Sequence, residues 1–156
     1  MTSPQPSPTE KPESAEDKAL AEAISAEHAT IYGYGFVSAH SLPELNELVS
    51  DSLTEHRGRR EAAIEMLASR GVLAPVAAAG YQLPIPVNNW KDAATLAIRM
   101  ETDDEVAWRA VLEQATSSQD RTFAVTALTQ AAVRAARWRR ALGVWPLTTA
   151  FPGGNE

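Results

Sequence analysis

The chain has no cysteine, which excludes thiolate metal sites, iron–sulfur clusters and cysteine nucleophiles and leaves carboxylates and imidazoles as the groups that could hold a metal. Such groups fall among apolar residues at helical spacing in three stretches. Glu27 lies between Ile24 and Ile31, in phase with Leu20 and Tyr34. His56 follows Leu53 by one turn and shares a face with Ile64. Glu101, Glu105 and Trp108 recur at i, i+4 and i+7, with Ala94 and Ile98 before them and Leu112 after. A carboxylate on an inward face is costly unless paired or coordinated. Hard oxygen donors joined by an imidazole suit divalent iron or manganese. Glu27, His56, Glu101 and Glu105 are therefore the candidate ligands of a reduced metal site, with Fe or Mn at partial occupancy. A slightly rotated stripe through Met100, Asp104 and Val111 would instead leave Glu101 or Glu105 solvated.

The same residues carry a second reading. A di-metal site in a four-helix protein takes one Glu from each of two helices and Glu-x-x-His from each of the others. Three residues before His56 stands Leu53, and Glu55 is rotated about 100° away from the histidine. From Arg121 to Asn155 there is no Asp, Glu or His, and the inward candidates are Thr126, Gln130, Arg134 and Arg137. Two fully ligated irons, and with them iron storage, are not expected. One of Arg57, Arg59 and Arg60 could instead neutralise Glu27 through a bidentate hydrogen bond. Glu27 and His56 would then belong to a buried Glu/His/Arg network. Tyr34, Glu55, Arg59, Arg60, Trp108 and Gln130 would surround either arrangement, and His28 is expected at the surface or an edge. No phosphate loop, zinc-protease motif or serine elbow is present, so the residues leave enzymatic activity open.

Four long helices must position these groups. The first starts near Ser14, where Asp17 three residues on completes a capping pair, and ends near Ala39. Ser41 and Glu44 form a capping box for the second, with Pro43 in its first turn and Gly71 as its C-cap. Residues 71–90 hold three prolines and cannot continue a helix. Extended, they reach about 60 Å, enough to travel the length of the second helix. Asn89 caps the third helix with Asp92 at its favourable third position, and Ser117 or Ser118 caps the fourth, which stops at Gly143. Two short turns and one long crossover between the second and third helices predict an all-α, ferritin-like four-helix bundle. The bundle is expected over 14–150, behind a disordered Pro/Ser-rich tail at 1–13 that holds four prolines, and ahead of a flexible C-terminus at 151–156. Two glycines within Tyr32-Gly33-Tyr34-Gly35 mark a close helix approach or a local bulge.

Composition narrows the class. With 156 residues and 44% apolar content the chain can bury one core. A net charge of −6 argues against nucleic acid as a general partner. Arg137, Arg139 and Arg140 beside Trp138 could contact RNA, but cations at a helix C-terminus also complement the helix dipole. No apolar run approaches the roughly 20 residues of a membrane span, and the start lacks a basic-then-apolar leader, so no membrane and a cytoplasmic location are expected. A homodimer or an unidentified protein partner fits the non-catalytic reading.

The segments AEHATIYGYG (Ala26–Gly35), TEHRGRRE (Thr54–Glu61) and ARWRRALGVWP (Ala136–Pro146) resemble a family of small actinobacterial proteins with a ferritin-like domain of unknown function. The resemblance spans about residues 15–150 and implies a fold more than an activity. Relative to metal-loaded ferritins and di-iron hydroxylases, the chain departs at Leu53 and throughout the fourth helix.

Overall fold

In the computed structural model, which describes Pro12 and residues 14–154, every regular element is a helix. The expected tail at 1–13 therefore lies, apart from Pro12, outside the described residues. Helix α1 runs Ala15–His40 and begins where Ser14 Oγ accepts the Asp17 N–H at 3.0 Å. Ser41 does not open the second helix as its capping pattern predicts. Its N–H and hydroxyl both donate to Val37 O, at 2.9 and 2.7 Å, and close α1 instead. A single 3-10 turn at Pro43–Leu45 then leads into α2, Asn46–Ser69.

α2 stops at Gly71, whose φ of +72° only glycine adopts cheaply. Val72 N–H reaches Leu67 O and Gly71 N–H reaches Ala68 O, the paired bonds of a Schellman cap. α3, Trp90–Gln114, starts with Asn89 Oδ1 accepting from the Lys91 and Asp92 N–H groups. α4, Ser118–Leu142, starts with Ser117 Oγ accepting the Asp120 N–H and ends at Gly143, φ +76°.

Two apolar clusters show how the helices run. In one, Leu20 of early α1 meets Leu67 of late α2, Val111 of late α3 and Ala124 of early α4. In the other, Tyr34 and Val37 of late α1 meet Val49 of early α2, Ala93 and Leu96 of early α3, and Trp138 of late α4. α1 and α4 thus run one way, and α2 and α3 the other. Residues 70–89 carry the chain back along the whole bundle between them. This return is fastened to α1, where Pro75 O meets His28 Nε2 at 3.1 Å and Tyr81 packs on Tyr32 at 5.4 Å between centroids. Leu83, Ile85 and Val87 then pack on the second cluster. His28, expected at the surface, is buried beneath this segment.

Small residues set the helix spacing. α4 turns Ala124, Ala127, Ala131 and Ala135 inward, letting its backbone come close to α3. Gly33 lets α1 approach α3, because a Cβ there would overlap Met100 Sδ. α2 and α4 face each other across a wider seam bridged by long side chains. There Arg134 Nε donates to Glu55 Oε2 at 2.6 Å and Arg59 Nη1 donates to Gln130 Oε1 at 3.1 Å. At one end Arg70 joins Asp17, at 2.9 Å, to Asp120, stapling α2 to the starts of α1 and α4. Past α4, Gly154 N–H bonds Phe151 O, and Gly153 lies against the Glu105 backbone of α3. No described helix is long and apolar enough to cross a membrane.

Candidate functional site

Between the two apolar clusters lies a polar layer to which all four helices contribute. Helical spacing decides its membership. On α2, Ser52, His56 and Arg59 stand at i, i+4 and i+7 and are buried, whereas Glu55, Arg57 and Arg60 point away. On α3, Glu101, Asp104 and Trp108 share the inward face. Glu27 comes from α1, Gln130 and Trp138 from α4.

His56 is held between two carboxylates. Its Nδ1 lies 2.7 Å from Glu27 Oε2 and its Nε2 3.0 Å from Glu101 Oε1, both at hydrogen-bond distance. Glu27 Oε1 accepts from Arg59 Nε at 2.5 Å and from Trp108 Nε1 at 2.7 Å. The guanidinium packs against the imidazole edge, with Nη2 2.8 Å from Nδ1. Glu101 Oε1 also accepts the Tyr34 hydroxyl at 2.5 Å, and that hydroxyl accepts from Trp138 Nε1 at 2.9 Å. Asp104 is different. It is fully buried, its Oδ2 lies 3.4 Å from His56 Nδ1, and neither oxygen makes a hydrogen bond among the described residues.

The electrostatics follow from this geometry. Burial would raise the Glu27 carboxyl, but the His56 hydrogen bond and the Arg59 charge hold it below its ordinary value. Burial would lower His56, yet the charge and hydrogen bond of Glu101, with the bond to Glu27, push it up to about 10. Burial, with Glu27 and Glu101 charge nearby, pushes Asp104 well above the usual carboxylate range. Burial and the Glu101 charge likewise lift Tyr34 well above 10.0.

The structure sorts the sequence candidates. Glu27, His56 and Glu101 meet, with Tyr34, Arg59, Trp108 and Gln130 around them. Glu105 does not join them. It turns towards the C-terminal segment, where Gly153 N–H bonds its carboxylate and Arg139 faces it, and burial raises its carboxyl. Glu55 is taken by Arg134, and Arg60 pairs with Glu61 at the surface. The rotated stripe and the glutamate stripe of α3 are not alternatives, because Glu101, Asp104 and Glu105 are all buried. Asp104 was visible only as part of that stripe, three residues after Glu101 and four before Trp108. Trp138 was visible only as an aromatic among arginines, although it continues the Ala131, Ala135 face.

A metal would find a partial fit. One ligand atom from each of Glu27, His56 and Asp104 lies within 4.8 Å of the others, all buried. A cation there would have to compete with Arg59 both for Glu27 and for His56 Nδ1.

The molecule is thus an all-helical bundle with a buried carboxylate–histidine–arginine layer. The chain belongs to the family described as Domain of unknown function (DUF4439), which it matches over residues 19–156. It is similar to the crystal structure of a conserved hypothetical protein, rv2844, from Mycobacterium tuberculosis. The two share 58% identity and a TM-score of 0.81, over 82% of this chain and 97% of that one. Among curated proteins none matches the chain.

Proposed function

We propose that the protein is a ferritin-like bundle in which an internal cation, Arg59, has taken the place of a metal centre, and that it works as a non-redox binding module. The observation that carries this reading is the saturation of Glu27. Its two oxygens meet Arg59, Trp108 and His56, all at 2.5–2.7 Å, so a metal on Glu27 would have to compete with a cation already in place. The full-length return between α2 and α3 supports the ferritin-like topology. The absence of Asp, Glu and His from Arg121 to Asn155 supports the loss of a second metal position. The chain should be purified after growth with iron, manganese or zinc and its metal content measured. This reading expects below about 0.1 metal per chain, since a site built for metal holds it stoichiometrically.

The unbonded oxygens of Asp104 and Glu101 favour one rival reading. A single divalent ion on Glu27, His56 Nδ1 and Asp104 would leave Nε2–H donating to Glu101, as carboxylates orient metal-bound histidines. Stoichiometric metal, lost in Asp104→Asn, would establish that rival and end ours.

A further inference from the structure

The outward face of α4 carries Thr129, Val133, Arg137 and Arg140 at i, i+4, i+8 and i+11, and all four are exposed. Arg59, Arg60, Arg70, Arg99, Arg109 and Arg134 each pair with a carboxylate. Among the described residues Arg137 and Arg140 pair with none, although the chain holds 20 acidic residues against 14 lysines and arginines. Complementing the helix dipole accounts for cations at this end, but not for the apolar surface beside them. Val133 and Val144 are 44% exposed and Trp145 is 75% exposed. The helix ends at Gly143, φ +76°, and the Val144 N–H bonds Arg139 O, which holds Val144 and Trp145 at the arginine end of the stripe. Beyond them Arg139 Nη1 donates to Leu147 O at 3.1 Å and Gly153 lies against the Glu105 backbone. Trp145 is therefore displayed on a fastened segment, and tryptophan with arginine is the pairing that dominates interface energetics.

We propose that this end of α4 docks an acidic amphipathic helix of a partner protein, with its carboxylates on Arg137 and Arg140 and its apolar residues on Val133 and Trp145. The inference rests on the reading of the chain as a binding module. Charge complementarity selects the occupant. A second copy meeting this face across a two-fold axis brings the same arginines against each other. RNA must approach a chain of net charge −6, and Val133 and Val144 offer its bases no stacking face. A helix with both carboxylates and apolar side chains answers every group on the strip.

The test uses the full chain and a labelled peptide of about 18 residues, long enough to hold a helix alone. The peptide has leucines at i, i+3, i+4 and i+7 and glutamates between them. Its controls are the same peptide with lysine for glutamate, and polyuridylate RNA. Binding is followed by fluorescence anisotropy and mapped by NMR chemical-shift perturbation. The glutamate peptide should bind with shifts over residues 133–145 and weaken as salt rises, and the lysine peptide should not bind. Arg137→Gln with Arg140→Gln should weaken binding about tenfold and remove most of its salt dependence, whereas Arg137→Lys with Arg140→Lys should keep most of it. Trp145→Ala should weaken binding at least about tenfold. Arg57→Gln, at an exposed arginine of α2, should change nothing. All these positions are exposed, and matching urea midpoints separate lost binding from lost fold. No binding of the glutamate peptide, equal binding of the lysine peptide, or affinity that survives Arg137→Gln with Arg140→Gln would overturn the proposal. So would tighter binding of the RNA through the same arginines, or self-association that buries Trp145. A metal-loaded chain defeats the internal-cation reading, whereas a metal-free chain indifferent to the glutamate peptide defeats only this inference.

Discussion

Arg59 holds Glu27, leans on His56 and reaches Gln130 across the α2/α4 seam, all from an almost fully buried position. Removing one partner of a buried pair leaves the other charge without compensation, which costs about 3–5 kcal/mol. Arg59→Met should therefore lower stability by about that amount in urea unfolding, and by more than Arg60→Met, whose partner Glu61 is exposed. Asp104 should behave in the opposite way. Its carboxyl is raised, so its contribution is present in full below the unfolded pKa of 3.8 and is lost as pH rises towards the folded value. At pH 7 it is a cost, and Asp104→Asn should gain about 1 kcal/mol, or about 2–4 °C in Tm. His56 is also raised, from 6.5 to about 10, and its contribution is complete below 6.5 and lost as pH rises through 10. Unfolding free energy should fall between pH 7 and 10, and this fall should largely disappear in His56→Phe. At this scale the sequence revealed Glu27, His56 and Glu101 because each interrupts an apolar stripe. It could not choose among Arg57, Arg59 and Arg60, because the choice depends on where α2 sits about its own axis. It placed Asp104 only on a rotated stripe with Met100 and Val111, as an alternative to the glutamates, because one helix alone does not show that three neighbours bury all three acids.

The helices were legible from their ends. Ser14, Asn89, Ser117, Gly71 and Gly143 each do the capping their types predict, because those bonds are local. Ser41 failed for the same local reason, since its hydroxyl found Val37 O behind it before any N–H ahead. Helix packing was less legible, for it depends on which small residue meets which large one. Gly33 is the sharpest case. Gly33→Ala would bring a Cβ to 2.2 Å from Met100 Sδ, so the methionine must move. Overpacking of this kind costs about 1–3 kcal/mol. Gly35→Ala, with open space around it, should instead be neutral or stabilising. If the clash is the cause, Met100→Ala should recover part of the Gly33→Ala loss in a double-mutant cycle.

For the whole molecule, the crossover announced the topology, since three prolines in a stretch long enough to return along a helix admit few other uses. The charge balance of the polar layer stayed hidden because it is a sum over four helices, and no stretch of sequence reports a sum. The return segment also divides the chain into two helical hairpins whose buried groups differ in sign. The first half brings Glu27, His56 and Arg59, and the second brings Glu101 and Asp104. Each hairpin alone would bury a charge that only the other can answer. Val76–Gly80, the exposed stretch of the link, is where the chain can be opened. Halves divided there and co-expressed should assemble into one particle, measurable by co-purification through a tag on either half. Glu101→Gln should weaken that assembly more than it weakens the uncut chain. The polar layer would then act as a lock and key for self-recognition, telling each half of the protein which other half is its own.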